Sequence, residues 1–311
     1  MTEPSTTRPR VLYITGWMRS GSTLLGNVLN ELPGVLHVGE LHYLWRNGVL
    51  KEGTNSSCGC GADLTACPLW SAVLRADDTA EPAAAARMVA QQHRYLRTRH
   101  TRARLAEWRG GATPGRPVRE TTARTAGIYR LVAENGGDRL IVDGSKYPGE
   151  AAALLGRRDL DLRVLHMVRD PRPTAFSYRQ AKAYIDPIGP ARSSAYWTAF
   201  NAASELLGRA APDRYLRVRH EDLCADPRAT LAAVMRFAGL DGEAPVDERG
   251  RVRLGENHSV TGNPDRLSRG ERPIEADDRW RRQLGTRQIA AASSTALPLL
   301  ARYGYPLLPI T

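Results

Sequence analysis

The chain has 311 residues, of which 42% are hydrophobic and 25% charged, and 44 Lys+Arg against 33 Asp+Glu give a formal net charge of +11. These proportions describe a globular chain and exclude a disordered or fibrous one. No apolar run approaches the ~18 residues of a membrane span, and the short run Val11–Thr15 after a polar start makes no signal peptide, so a cytoplasmic protein with no membrane partner is expected.

Residues 1–9 read as a flexible tail, and 10–311 as a single domain, because an open α/β sheet can use this whole length. Val11–Thr15 predicts a strand, a Gly/Ser turn follows, and a helix is expected from Thr23 to about Asn30. Val35–Val38 is a second short strand. Residues 51–70 form a Cys-containing loop, and a helical insertion covers 81–135, interrupted by GGATPGRP. Three further strands are expected at Leu140–Val142, Val164–Val168 and Tyr215–Val218. Asp170–Pro171 and Asp226–Pro227 each set an Asp to cap a helix and a Pro, which has no N–H to leave unpaired, at its first position. About 255–272 reads as basic loop and Asp277–Ala301 as a closing helix. Strands alternating with helices predict an α/β three-layer sandwich with a central, mainly parallel sheet of about five strands.

The segment VLYITGWMRSGSTLLGNVL runs strand, Gly16, then Gly21-Ser22-Thr23 opening a helix. This is the layout of a phosphate-binding loop, in which backbone N–H groups and a helix N-terminus face an anion. It departs from the nucleotide-triphosphatase pattern at one place: Ser22 stands where that pattern has Lys. Arg19, inside the loop, supplies charge from a different direction. In VLHMVRDPRPTAFSYRQAK, Arg169 leaves a strand's carboxyl end and Ser177 sits on the face of the helix that Asp170 caps, a pairing suited to a monophosphate.

Together these segments resemble the 5′-phosphosulfate and 3′-phosphate motifs of sulfotransferases that use 3′-phosphoadenosine 5′-phosphosulfate (PAPS). VDGSKYP at Val142–Pro148, HEDL at His220–Leu223 and NHSVTGNPDR at Asn257–Arg266 are similar to the bacterial and tyrosylprotein branch of that family. The resemblance implies a P-loop-type fold, PAPS as donor and adenosine 3′,5′-bisphosphate (PAP) as product, with no metal required. It assigns Arg19, Ser20, Gly21, Ser22 and Thr23 to the 5′-phosphosulfate, and Arg169 and Ser177 to the 3′-phosphate. Asn263 and Arg266 would complete that pocket. It makes Glu40 the general base, with His42 as the alternative, and lets Lys146 reach the sulfate or the leaving phosphate. His37, alternating with Val35, reads as a strand residue.

Two other functions compete. The run LIVD ending in Asp143 mimics the strand that holds Mg²⁺ in P-loop kinases, but the first loop lacks the matching lysine. A non-catalytic nucleic-acid-binding module would use the net charge. However, arginines such as Arg87, Arg94, Arg97 and Arg102 fall in Ala-rich helical stretches without interleaved aromatics, as solvated helix faces do. Four cysteines are too few for a disulfide framework. Cys58, Cys60 and Cys67 have ligand-like spacing but lack a fourth ligand nearby, so no metal is assigned. The acceptor is expected to be a small molecule or peptide, bounded by loops near 41–70 and 180–195. Trp45, Trp70, Tyr184 and Trp197 are candidates for its wall, though such aromatics are more often core. A homodimer stays open.

Overall fold

In a computed structural model, which describes residues 8–77, 80–137, 139–179 and 186–307, the sheet is built around β1 (Arg10–Thr15). The chain continues through α1 (Ser22–Asn30) to β2 (Val35–Gly39), then through α2 (Pro68–Ala76), α3 (Pro82–Tyr95), α4 (Thr101–Trp108) and α5 (Arg116–Gly136). The strands β3 (Leu140–Lys146) and β4 (Asp161–Val168) flank α6 (Pro148–Leu155). After α7 (Pro171–Ser177) and α8 (Pro190–Ala210) comes β5 (Tyr215–Arg219), followed by α9 (His220–Ala225) and α10 (Pro227–Ala238). The hairpin strands β6 (Arg251–Leu254) and β7 (Gly270–Pro273) precede α11 (Arg279–Gln283) and α12 (Thr286–Arg302).

The five strands pair in parallel in the order β2-β3-β1-β4-β5. Both faces are covered, which explains the uninterrupted apolar run of β1. Val11 and Tyr13 point into the layer with Tyr129 and Val132 of α5, Leu154 of α6 and Leu207 of α8. Leu12 and Ile14 point the other way, onto Leu25 and Val28 of α1 and Leu231 and Val234 of α10. Each such fully buried aliphatic side chain contributes about 1.5–3 kcal/mol through removal from water.

Both Asp-Pro helix starts hold: Asp170 accepts from the Arg172 N–H at 2.8 Å, and Asp226 from the Ala229 N–H at 2.9 Å. Two expectations need correction. The 255–272 region is bracketed by the antiparallel pair β6–β7: β6 (RVRL) is a short alternating strand that buries Val252 and Leu254, and β7 (GERP) is polar and exposed. The closing helix is two helices, divided at Leu284–Gly285, where Gly285 caps α12.

All five strands run the same way, so their carboxyl ends share one edge. The chain leaves β1 toward β2 on one side and leaves β4 toward β5 on the other. The gap between β1 and β4 is thus the place where connections diverge and a crevice opens.

Candidate active site

The turn between β1 and α1 sits at that crevice. Gly21 caps α1 with φ 92°, and a Cβ there would lie 2.6 Å from His220 Nδ1, so only glycine fits. No side chain caps α1, which leaves the amides of its first turn aimed outward with the positive end of the helix. Arg19 holds a left-handed backbone, φ 69°. Lys146 (φ 74°) and Thr261 (φ 53°) do the same beside the same crevice. Such conformations cost about 1–3 kcal/mol each in non-glycine residues and cluster at functional sites.

A cavity of about 530 Å³ opens over this turn. Arg19, Gly21, Ser22, Thr23, Glu40, Lys146, Arg169 and Asn263 all line it. Residues 52–55 of the Cys-containing loop form another wall, and Asn55 Nδ2 donates to Gly262 O at 2.6 Å.

Glu40 follows β2 directly. Gly39 (φ 81°) lies so close to the 257–262 segment that a Cβ would meet Val260 O at 2.2 Å. The Glu40 N–H donates to Val260 O at 2.9 Å, and the Thr261 hydroxyl donates to Glu40 O at 3.0 Å. With its backbone held from two sides, the Glu40 carboxylate accepts from the Lys146 ammonium. Lys146 Nζ also donates to Gly144 O at 3.0 Å. The two side chains are 14% and 6% exposed, so each charge has the other as its counter-ion with little water between.

The two anion motifs meet. Arg19 Nε donates to Ser177 Oγ at 2.7 Å, and Arg169 donates to Arg19 O at 3.3 Å. Burial lowers the Arg169 guanidinium from its ordinary value, against the opposing pull of Glu221 and Asp277. Ser177 is not among the described residues that line the cavity, and touches one that does, Arg19. Ser20 is buried beneath the turn. Arg266 is also buried. Its guanidinium donates to Ser259 O and Ser57 Oγ, each at 3.4 Å, and it borders a small recess beside Ser22, Thr23 and Glu40 rather than the Arg169 end.

His42 turns inward. Its Nδ1 lies 2.7 Å from Glu150 Oε2, its N–H donates to Ser145 Oγ at 2.9 Å, and it faces a neighbouring cavity beside α3 instead of the main one. His37 packs inside β2 against Gly26, and burial, with Lys146 and Arg266 nearby, lowers it to about 3. Asp143 is also interior. It accepts from the Ser145 N–H at 2.9 Å, the Leu41 N–H at 3.3 Å and the Tyr129 hydroxyl at 2.5 Å, while burial raises it to about 6. Trp45, Trp70 and Trp197 are core residues, and Tyr184 lies outside the described residues.

His220 carries no sequence signal as a site residue beyond its place in HEDL. Its Nδ1 is buried without a hydrogen-bond partner among the described residues and sits against Gly21 at the cavity wall. Burial, with Arg169 beside it, lowers the ring to about 3, so it stays neutral. An orphaned ring nitrogen beside an uncapped helix start suits a ligand that brings oxygen atoms to this place.

A family model described as "Sulfotransferase family" matches residues 10–244, which span β1 through α10. The chain belongs to the sulfotransferase family. Among solved structures, the sulfotransferase domain from the Synechococcus PCC 7002 olefin synthase is similar at 25% identity, covering 99% of each chain with a TM-score of 0.58. The sulfotransferase domain from the curacin biosynthetic pathway shares the fold at 16% identity, covering 97% of this chain and 100% of that one with a TM-score of 0.52. No curated protein matches the sequence. No helix of the described residues in this sulfotransferase is long and apolar enough to cross a membrane.

Proposed function

We propose that this sulfotransferase moves the sulfuryl group of PAPS to a hydroxyl, phenol or amine of a small-molecule acceptor, with Glu40 as general base. One observation carries the reading: the Glu40–Lys146 pair and the uncapped start of α1 open into the same cavity. The donor is strongly anionic, and Arg19, Arg169, Lys146 and the α1 amides supply cationic or donor groups on the walls facing it.

The acceptor oxygen attacks sulfur, the bond from sulfur to the bridging oxygen of the 5′-phosphate breaks, and PAP departs. The acceptor proton passes to a Glu40 carboxylate oxygen. Negative charge grows on the bridging oxygen as that bond lengthens. Arg19 and the amides of Ser22 and Thr23 line the turn where that charge develops, so they can meet it with little reorganisation. As the proton moves, Lys146 exchanges its Glu40 partner for the departing phosphate.

The neighbouring cavity beside α3, also about 530 Å³, shares Tyr43, Arg46 and Glu52 with the first. It gives an acceptor a route to Glu40 between the Cys-containing loop and the helical insertion.

Transfer of labelled sulfate from PAPS to an acceptor mixture tests the activity. Calorimetric titration with PAP and with Mg-ATP separates this reading from a kinase. Tight PAP binding supports it, and preference for Mg-ATP overturns it. The interior position of Asp143, with its oxygens engaged by Ser145, Leu41 and Tyr129, already weighs against the kinase.

A further inference from the structure

The Cys-containing loop does two things. Its first half lines the cavity. Its second half folds back onto the 257–262 segment, with the Cys58 N–H donating to Ala62 O at 2.8 Å and the Gly59 N–H to Ser259 O at 2.7 Å. That turn brings Cys58 and Cys60 to the same place as Cys67, the residue that caps α2. The fourth member of the group comes from 191 residues beyond Cys67. His258 presents Nδ1 at 3.7 Å from Cys58 Sγ and 3.4 Å from Cys67 Sγ. The three sulfurs and this nitrogen all lie within 4.8 Å of one another.

We infer that Cys58, Cys60, Cys67 and His258 form a structural zinc site that clips the Cys-containing loop to the segment anchoring Glu40. Four protein ligands leave no open position, so the site is structural rather than catalytic. A tetrahedral Zn²⁺ with ordinary bond lengths sets sulfur–sulfur edges at about 3.8 Å and sulfur–nitrogen edges at about 3.5 Å. The two sulfur–nitrogen distances already match, and none of the cysteines is in a disulfide. Three thiolates and one imidazole are a soft donor set that selects zinc over magnesium or calcium.

The surroundings fit a metal centre. Trp70 Nε1 donates to His258 O at 2.6 Å and fixes the backbone that carries the ligand. Three thiolates and Zn²⁺ sum to one negative charge, and two arginines close the loop around it. Arg266 reaches Ser57, and Arg269 donates to Gly59 O at 2.5 Å.

The clip bears on the reaction centre through its backbone. Val260, two residues past His258, bridges both Cys58 and Gly39, and it accepts the Glu40 N–H. Thr261 then holds the Glu40 carbonyl. Fixing His258 therefore fixes the strap that positions Glu40.

The test is metal analysis of untagged full-length protein, followed by cobalt substitution after removal of metal with chelator and reductant. One zinc per chain is expected, together with intense visible and near-ultraviolet bands of tetrahedral thiolate-bound Co²⁺. His258→Ala and Cys60→Ser should lose those bands, whereas His258→Cys should keep the metal. Metal removal should lower the Tm by more than about 5 °C. Less than a tenth of an equivalent of zinc together with no cobalt uptake would overturn the inference, as would His258→Ala binding metal like the wild type. These readouts are independent of sulfuryl transfer, so they stand or fall apart from the proposed activity.

Discussion

Glu40→Gln is the sharpest perturbation of the proposed reaction. The amide keeps the shape of the side chain and an oxygen that can accept from Lys146 Nζ, which retains Gly144 O at 3.0 Å. What is lost is a base able to take the acceptor proton. General-base catalysis contributes about 10²–10⁴-fold, or about 2.7–5.5 kcal/mol of barrier. Leaving Lys146 without a full counter-ion costs stability as well. Removing one partner of a buried pair outright costs about 3–5 kcal/mol, and the retained acceptor and the 14% exposure of Glu40 cut this to about 1–2 kcal/mol. The fold should survive. Single-turnover transfer from labelled PAPS should fall at least 100-fold, while PAP affinity, assigned by the proposal to Arg19, Ser22, Thr23 and Arg169, should change less than about threefold. A transfer rate within threefold of the wild type would refute the assignment of Glu40. A parallel loss of rate and PAP affinity would show instead that Glu40 acts through the donor pocket.

Gly21→Ala should weaken PAP binding at least tenfold, because the new methyl meets His220 Nδ1 at 2.6 Å on a backbone with φ 92°; isothermal titration reads the loss, and unchanged affinity would remove the turn from the donor site. Arg169→Ala should cost about 10–100-fold in PAP affinity, the value of a charge-assisted contact, and should flatten the salt dependence of binding; an unaltered salt slope would count against a phosphate there. Stability should fall between pH 6.5 and about 4. His37, His166 and His220 are held near 3, 4 and 3 in the fold, so the unfolded chain takes up their three protons first. Asp143, raised to about 6, opposes them by taking one proton in the fold, which leaves a net loss on the order of 2 kcal/mol per pH unit. Urea unfolding at pH 7, 6 and 5 measures this, and a flat profile would contradict the buried neutral histidines.

The elements that could be read from the sequence are those with strong local causes. β1, β3 and β4 are buried on both faces and so print as apolar runs, and Asp170 and Asp226 announce their helices through capping chemistry. The turn at residues 16–23 was legible for the same reason, since glycines and an arginine between strand and helix have few other uses. Tertiary partners were not legible. His220 reaches Gly21, and His258 reaches Cys58, across about 200 residues of chain, and no window of sequence joins them. The β6–β7 pair was hard to read because β6 offers only two buried apolar residues, Val252 and Leu254, and its partner β7 is polar and exposed. His42 and Glu40 look equivalent in VLHVGELHYLW; the fold tells them apart by turning His42 inward onto Glu150 and Glu40 into the cavity.

If the cavity holds PAPS as proposed, the hydrogen bond from Arg19 to Ser177 makes one guanidinium a shared beam between the two halves of the donor site. A nucleotide missing its 3′-phosphate would therefore leave the sulfuryl end less rigidly framed. Discrimination against such a molecule would surface in turnover as well as in affinity, and double substitution at Arg19 and Ser177 would show non-additive losses.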